Sequence, residues 1–430
     1  MLNHRKAIIT FMLAATSLGL SAQSFKFDFT GRKPAAGFTA VSSDSLFTEQ
    51  RGFGYDLHPA WDGKSNAPFF FSVNVPDGNY RVTVTLGSKN SAGVTTVRAE
   101  SRRLFLEDVT TKKGEQITRT FIVNKRNPVI DRKDGKDNRV RLKKRELHKL
   151  NWDDKLTFEF NGDAPRLARI VIERDEQVPT MYLCGNSTVV DNDNEPWASW
   201  GQMITRFMGP EVAISNHAES GLSANTFVGG LRLEKIKTTL RKGDYLFFEF
   251  GHNDQKQKGP GKGAYYEFAF YLKQFIDVAR AVGATPVLVT PTRRRQFDEQ
   301  GHVRDTHQDF PAAIREIAAR ENVALIDLQE MTKVMIEALG EEASTRLFVH
   351  YPAGTYPGQT VDFKDNTHFN PYGAYEVAKC VIEGIKAAKL PIASAICPDF
   401  QPFDPAHPDA FESFHWNDSP FTEIEKPDGN

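Results

Sequence analysis

Apolar residues in the first part of the chain occur in short runs with polar residues between them. From Phe25 to Arg174 these runs are rich in Val, Phe, Ile and Thr, and no helical period interrupts them. Turn-forming stretches such as PDGN at 76–79 and NGD at 161–163 separate several of them. The runs are FKFDF, FFFSVNV, YRVTVTLG, RTFIVN, KLTFEF and ARIVIER. Short strands at this spacing predict an all-β sandwich domain over residues 24–175.

The pattern changes after Asp175, where nearly continuous apolar runs alternate with helical stretches. The apolar runs, typical of strands buried on both faces of a parallel sheet, are TMYLCG, EVAISN, DYLFFEFG, TPVLVTP and VALIDL. Helical periodicity predicts helices at 197–207, 226–240, 265–282 and 311–321. Alternation of strand and helix predicts an α/β domain with a doubly wound parallel sheet over residues 180–392. The remaining residues, 393–430, are expected to wrap the domain surface or to fray.

The N-terminus has the layout of a secretory signal peptide. Basic residues at 4–6 precede an apolar run from Ala7 to Leu20, and small residues follow up to Ala22. The run is short for a membrane span, and no later stretch is long and apolar enough to be one. We therefore expect residues 1–22 to direct export to a bacterial periplasm or the extracellular space.

Charge and cysteine content narrow the function further. A formal net charge of -1 gives no global field that would attract nucleic acid or an anionic membrane. Residues 125–149 carry eleven Lys or Arg against four acids. Because these charges are interleaved with Asp and Gly, a solvated loop or edge strand is favoured over nucleic-acid binding. Three cysteines do not make a disulfide framework, and Cys184 and Cys380 lie in apolar segments as expected core residues.

Polar residues follow the predicted strands of the second domain. Ser187 lies in GNST after the first strand, Gly221 in GLS after the second, and Asn253 in GHND after the third. The segment DNTH at 365–368 precedes the last helix. Taken singly, GNS is most often a turn and Asp-x-x-His a surface or capping pair. Chemistry in an open α/β sheet collects at the carboxyl ends of the strands, so we expect these residues to meet at one edge.

As a set, these residues meet the requirements of a serine hydrolase. Ser187 is the candidate nucleophile and His368 its base, and Asp365 would fix the tautomer of that histidine. The backbone N–H groups of Ser187 and Gly221 and the side chain of Asn253 are candidate oxyanion donors. A nucleophile, its oxyanion donors and an Asp–His pair, all at one edge of the sheet, predict ester hydrolysis without a cofactor.

Two further groups of residues raise the question of a metal. His252, His302 and His307 have a spacing that matches no zinc pattern. The run DNDNE at 191–195 lacks the glycine and the terminal glutamate of an EF-hand loop. We predict no metal, and we expect 191–195 to form a polar loop over the active-site edge.

The four blocks resemble the SGNH, or GDSL-type, hydrolases, whose letters stand for the residues carried here by Ser187, Gly221, Asn253 and His368. The stretches WASWGQ, FFEFGHNDQ and DNTHFNPYGA resemble the rhamnogalacturonan acetylesterase branch. This resemblance covers roughly residues 180–390. The β-rich part, with phrases such as VPDGNYRVTVTLG, is similar to the galactose-binding-like domain that precedes some bacterial members.

One position departs from the family pattern. The first block usually has Asp before the serine, whereas this chain has Asn186. An amide keeps a hydrogen-bonding oxygen and loses the charge. The family resemblance makes Asp365 the triad acid, so Asn186 is compatible with activity. A non-catalytic carbohydrate-binding protein with a decayed hydrolase domain is the alternative that Asn186 supports.

The resemblance implies removal of acetyl groups from the galacturonate residues of rhamnogalacturonan, a pectin backbone. Arg293, Arg294 and Arg295 follow the fourth strand, where an arginine fork could bind a uronate carboxylate. The alternative is a surface loop paired with Asp298 and Glu299. Further candidate substrate contacts are His252 and, as a sugar platform, Trp197, although a helical tryptophan more often faces a core. Acetylated xylan is the alternative substrate, and the sequence does not specify an oligomeric state.

Overall fold

The computed structural model describes residues 24–420 apart from 32, 58, 59, 133 and 137. The predicted signal peptide therefore lies outside the described residues. Among the described residues, no helix combines the length and apolarity needed to cross a bilayer.

Ten strands build the N-terminal part as two five-stranded sheets. The strands are β1 (Ser24–Asp28), β2 (Thr39–Ala40), β3 (Phe53–Asp56), β4 (Phe69–Asn74), β5 (Gly78–Leu86), β6 (Gly93–Ala99), β7 (Arg103–Thr111), β8 (Ile117–Lys125), β9 (Lys155–Ala164) and β10 (Leu167–Arg174). One sheet has the order β2-β1-β10-β5-β8 and the other β3-β4-β9-β6-β7, and all pairs except β1–β2 are antiparallel. Alternate residues such as Tyr80, Val82 and Val84 point into one aromatic-rich core. This arrangement confirms the predicted all-β sandwich.

The C-terminal part has a five-stranded parallel sheet and a separate hairpin. The sheet strands are β11 (Thr180–Cys184), β12 (Ala213–Asn216), β13 (Tyr245–Glu249), β14 (Thr285–Val289) and β15 (Ala324–Ile326); the hairpin strands are β16 (Phe348–Tyr351) and β17 (Phe363–Phe369). The order β12-β11-β13-β14-β15 reverses direction at β11, so the sheet is doubly wound. The predicted fold class is confirmed.

Helices cover both faces of the parallel sheet. They are α1 (Trp200–Met203), α2 (Ala224–Gly229), α3 (Arg232–Lys237), α4 (Ala269–Val282), α5 (Phe310–Glu321), α6 (Leu328–Ala343) and α7 (Pro371–Ala387). Met181 and Leu183 pack into one core, whereas Tyr182 and Cys184 pack into the core on the opposite face. The strand period of two therefore explains why the run TMYLC is apolar throughout.

Three sequence expectations need correction. The predicted helix at 226–240 is two short helices, because the chain turns at Leu231, which has a left-handed φ of 62°. Helix α6 was not predicted. The predicted helix at 197–207 starts only at Trp200 and continues from Ile204 to Phe207 as a 3-10 helix, so Trp197 lies outside it.

Candidate active site

Ser187 lies in the turn that follows β11, at the carboxyl edge of the parallel sheet. The amides of Val189 and Val190 both donate to the carbonyl of Asn186, which closes the turn at 3.1 and 3.0 Å. A Cβ atom at Gly185 would come within 2.5 Å of the Val189 side chain, so only glycine fits before the turn. The turn interpretation and the nucleophile interpretation of GNST are therefore both compatible with the structure.

The structure brings Ser187, His368 and Asp365 together in one hydrogen-bonded line. The Ser187 Oγ lies 2.8 Å from His368 Nε2, and His368 Nδ1 lies 2.8 Å from Asp365 Oδ2. All three side chains are buried. A neutral imidazole that donates from Nδ1 to the carboxylate accepts at Nε2, which is the tautomer that a serine base requires.

Local backbone contacts hold Asp365 and His368 in place. The second oxygen of Asp365, Oδ1, accepts the backbone N–H of Thr367 at 2.9 Å and of His368 at 3.0 Å. Burial by itself would raise the pKa of Asp365, but the His368 hydrogen bond and charge and these backbone donors outweigh it and hold that pKa well below its usual range. Asn370 caps α7 by accepting from the amide of Gly373 at 2.9 Å, so the histidine is anchored to a helix start.

The segments after β12 and β13 contact each other. Gly221 has a left-handed φ of 76°, and Asn253 Nδ2 donates to the carbonyl of the adjacent Leu222 at 3.0 Å. Asp254, which the sequence reasoning did not single out, accepts from the amides of Ala224 at 2.8 Å and Gly251 at 2.9 Å. This carboxyl group thus ties the two candidate oxyanion segments together. Asp254 directly follows the candidate oxyanion donor Asn253 in GHND, and this adjacency is the sequence feature that points to a role for Asp254.

A second buried carboxyl group, Glu249 at the end of β13, lies behind the nucleophile turn. Its Oε1 is 2.5 Å from Thr188 Oγ1, and its Oε2 accepts from Trp200 Nε1 at 2.6 Å. Thr188 Oγ1 also lies 3.0 Å from Asn186 Oδ1, which accepts the Thr188 amide at 3.1 Å. Burial raises the pKa of Glu249 to about 7 against the opposing effect of these hydrogen bonds. If Glu249 is protonated, it donates to Thr188 Oγ1, and the Thr188 hydroxyl donates to Asn186 Oδ1. Each of these two hydrogen bonds then has one donor and one acceptor.

We expect Glu249→Gln to stabilise the protein increasingly as the pH rises from 5 to 8. Folding raises the pKa of Glu249 above its unfolded value of 4.5. The contribution of Glu249 to the stability of the wild-type folded state is therefore greatest below pH 4.5 and is lost as the pH rises through about 7. Glutamine is neutral at every pH, so the variant does not lose stability through deprotonation at this position. The gain between pH 5 and 8 should be on the order of 2 kcal/mol in the free energy of unfolding measured by urea titration. The exposed Glu299→Gln is the control, and parallel pH profiles for wild type and Glu249→Gln would contradict the prediction.

The basic segment at 125–149 contacts the loop that carries Gly221. Arg145 Nε and Lys149 Nζ donate to the two carboxylate oxygens of Glu219 at 2.9 and 3.0 Å. Arg145 Nη2 and Lys143 Nζ also donate to the carbonyl of Ser220, at 2.9 and 2.5 Å. The predicted solvated loop or edge strand is therefore wrong for these residues, which brace the segment directly before Gly221.

Glu219 is ionised in this arrangement. Burial would raise its pKa, but Lys149, Arg145 and Arg232 together lower it to about 2. The carboxylate is nearly inaccessible to solvent, so removal of one cation leaves a buried charge with less compensation.

Arg145→Met should therefore lower kcat about tenfold while KM changes little, because a small displacement of the Gly221 segment weakens transition-state contacts most. Arg145→Lys should restore part of the loss. Lys144→Met, an exposed neighbour in the same short helix, is the matched control. Steady-state kinetics on a small acetyl ester measure the effect. A tenfold rise in KM with an unchanged kcat would assign Arg145 to substrate binding instead.

In the segment 191–195, Asp191, Asn192 and Glu195 are buried, and the segment contacts the sandwich. Arg102 of the sandwich forms an ion pair with Glu195 at 2.5 Å and donates to the carbonyls of Asn192 and Trp197 at 3.2 and 3.1 Å. Asp191 lies 3.6 Å from Arg103. These acids thus have arginine partners. Within the described ranges, no group of three or more His, Cys, Asp or Glu side chains is arranged to hold a metal ion.

The structure does not present the predicted arginine fork to a ligand. Arg293 pairs with Asp305 at 3.2 Å and Glu330 at 3.1 Å. Arg294 donates to Thr306 Oγ1 at 2.9 Å and to the carbonyl of His252 at 3.3 Å, and Arg295 donates to Ser344 Oγ at 3.0 Å and Asn366 Oδ1 at 3.2 Å. The first two side chains are also buried. The uronate interpretation is therefore corrected to a structural one, and the predicted partners Asp298 and Glu299 are replaced by residues distant in sequence.

The two other candidate substrate contacts are also buried. Trp197 is 1% exposed and packs on Phe363 at a ring distance of 5.1 Å, so the sugar-platform prediction is wrong and the core alternative holds. His252 is 2% exposed, with Nδ1 3.0 Å from His307 Nε2 and Nε2 3.3 Å from Thr292 Oγ1. Burial first, then the neighbouring His307 and Arg294, lowers the pKa of His252 well below its usual value. It lies in the wall behind Asn253 as a neutral, internally bonded side chain.

Comparison with known proteins agrees with this geometry. The model of the GDSL-like Lipase/Acylhydrolase family matches residues 183–374. Rhamnogalacturonan acetylesterase RhgT of Bacillus subtilis is 43% identical over 214 residues, which cover 49% of this chain and 91% of that protein. The probable rhamnogalacturonan acetylesterase YesY of the same organism is 36% identical over 219 residues, covering 50% and 96%. The uncharacterized esterase YxiM, also of Bacillus subtilis, is 25% identical over 387 residues, covering 84% and 90%.

The matched segment 183–374 contains every residue of the hydrogen-bonded line and both candidate oxyanion segments. The similarity to RhgT extends over most of that protein's length. The chain therefore belongs to the GDSL-like lipase/acylhydrolase family, the SGNH hydrolases.

Proposed function

We propose that this protein is a serine acetylesterase that removes acetyl groups from rhamnogalacturonan. The observation that carries the proposal is the Ser187–His368–Asp365 line, with both hydrogen bonds at 2.8 Å. The names of the two relatives above 30% identity support the choice of an acetylated pectin. The continuous hydrogen-bonded line argues against a decayed hydrolase, because Asn186 leaves it intact.

In the proposed mechanism, Ser187 Oγ attacks the acetyl carbonyl while His368 Nε2 takes the serine proton. Asp365 stabilises the resulting imidazolium through Nδ1. The oxyanion forms beside the amides of Ser187 and Gly221 and the side chain of Asn253. His368 then returns the proton to the departing sugar oxygen, which leaves an acetyl-Ser187 intermediate. Water, deprotonated by His368, releases acetate and regenerates the serine.

Asn253 has the donor capacity that this mechanism requires. Its amide nitrogen carries two N–H groups, and the hydrogen bond to Leu222 uses one of them. That bond also fixes the amide against the segment that carries Gly221. The second N–H is the proposed oxyanion donor.

Asn253→Ala is expected to lower kcat by roughly 10² to 10³ with little change in KM, since the donor acts most strongly on the transition-state charge. Asn253→Asp should lose at least as much, because a carboxylate faces the oxyanion with like charge. Steady-state kinetics on a small acetyl ester check both variants. A change confined to KM would place Asn253 in ground-state binding.

Acetate release from three substrates tests the function. Acetylated rhamnogalacturonan, acetylated xylan and a small neutral acetyl ester should be compared at equal acetyl content. We expect the largest kcat/KM on acetylated rhamnogalacturonan. Preference for acetylated xylan would replace the pectin substrate but keep the esterase, whereas no acetate from any of the three would overturn the enzymatic proposal.

A further inference from the structure

A polar cavity of about 210 Å³ lies where the sandwich meets the parallel-sheet domain. Its wall combines the start of β5 and the end of β8 with residues of β11, β12 and α3. None of Ser187, Gly221, Asn253, Asp365 and His368 lines it. The cavity is therefore distinct from the candidate active site.

The wall of this cavity carries more cations than anions. The cationic side chains are Lys125, Arg126, Arg174, Lys235 and Arg241, and the carboxylates are Asp77 and Glu176. Lys125 and Lys235 share one acid, with Nζ to Asp77 distances of 3.2 and 2.7 Å. Lys125 also lies 3.8 Å from Asp154, Arg174 pairs with Glu176 at 2.9 Å, and Arg241 lies 3.8 Å from Asp244. Arg126 is thus the lining cation for which the described residues show no direct ion pair.

Arg126 is a buried cation on this wall, and the nearby acids Asp191 and Glu100 act on it only through their charge. It is 4% exposed, and no ion pair to it is found among the described residues. Its Nη2 donates to the carbonyl of Asn216, and its guanidinium lies 4.4 Å from the ring centre of Trp152. Its Nε and Nη1 are buried and find no hydrogen-bond partner in the described part of the chain. Burial, followed by repulsion from Arg103, lowers the pKa of Arg126 to about 9. A buried cation in this situation gains strongly from an anion.

His217 supplies a second donor on the same wall. It is 2% exposed, its Nε2 lies 3.0 Å from Ser215 Oγ, and its Nδ1 has no hydrogen-bond partner among the described residues. When Nε2 accepts from the serine hydroxyl, Nδ1 carries the proton and can donate. Burial first, and then the charges of Arg126, Lys235 and Arg232, lowers the pKa of His217 well below its usual value, so the ring is neutral.

We propose that this cavity binds a small tetrahedral oxoanion, such as inorganic phosphate or sulfate. The guanidinium of Arg126 offers a rigid planar set of N–H donors, which suits oxoanions. The His217 Nδ1–H and the ammonium groups of Lys125 and Lys235 are the other proposed donors to the anion. Lys125 belongs to the sandwich, and His217 and Lys235 belong to the parallel-sheet domain. Because its ligands come from both domains, the anion stabilises their contact in addition to neutralising Arg126.

The test is a titration of the full chain with sodium phosphate against sodium chloride at equal pH and ionic strength. Thermal unfolding and isothermal calorimetry are the two measurements. We expect a saturable rise in Tm and measurable heat with phosphate only, because a ligand that binds the folded state raises Tm by mass action. Arg126→Met should abolish the response, and Lys235→Gln, which removes a proposed ligand on the α3 side, should weaken phosphate binding by about tenfold. The exposed Arg119→Gln on β8 is the matched control.

Equal responses to phosphate and chloride in the wild type would overturn the proposal. It would also be overturned if Lys235→Gln bound phosphate as tightly as wild type and Arg119→Gln do, because the anion would then lie elsewhere. The Lys235 comparison decides the question even if Arg126→Met does not fold.

Discussion

Ser187→Ala is expected to lower kcat on acetyl esters by about 10⁴-fold or more, since loss of a triad nucleophile removes the covalent route entirely. The Ser187 Oγ is the group 2.8 Å from His368 Nε2, and the alanine retains the backbone amide that is the proposed oxyanion donor. The fold should persist, because the turn is closed by backbone hydrogen bonds to Asn186 that do not involve the serine hydroxyl.

Acetate release, together with labelling by a fluorophosphonate, checks this result. Wild type should be labelled once and Ser187→Ala not at all. The exposed Ser394→Ala, in the same part of the chain, serves as the control. Retention of a tenth of wild-type kcat by a folded Ser187→Ala variant would remove Ser187 from the mechanism.

Asp365→Asn is expected to lower kcat by roughly 10³ to 10⁴ while the protein remains folded. Both carboxylate oxygens of Asp365 are acceptors: Oδ2 for His368 Nδ1, and Oδ1 for the backbone amides of Thr367 and His368. An asparagine offers one acceptor oxygen only. If its NH₂ group faces Nδ1, the imidazole must carry its proton on Nε2 and cannot accept from Ser187. If it faces the two amides, donors oppose donors and the hairpin shifts.

The control for Asp365→Asn is Asp362→Asn, because Asp362 is exposed and lies directly before the same hairpin strand. Single-turnover kinetics should show slow acylation in Asp365→Asn and normal acylation in the control. An Asp365→Asn variant within tenfold of wild type would mean that another group orients His368.

Much of the candidate site follows from the sequence because its determinants are local. Ser187, Gly221 and Asn253 each follow the end of a strand by a few residues, and parallel strands in register end at the same edge of the sheet. Asp365 and His368 are three residues apart, so their contact needs only a short segment of backbone, although that segment is a strand and not a turn. The alternation of β and βαβ patterns likewise predicts both fold classes, since the periods of strand and helix are properties of short windows.

Partners that are distant in sequence were decided only by the tertiary structure. Glu249 lies behind Thr188 across 61 residues, and Arg145 reaches Glu219 across 74. The sequence predicted that Arg293 and Arg295 bind a uronate carboxylate. In the structure, Arg293 pairs with Glu330 and Arg295 donates to Ser344. The physical reason is that hydrophobic periodicity specifies which face of an element is buried, whereas the partner of a buried charge depends on which elements pack against that face. The sequence alone therefore determined the class of chemistry and the residues at the sheet edge, and the packing of elements that are distant in sequence, within and between the two domains, determined what supports them.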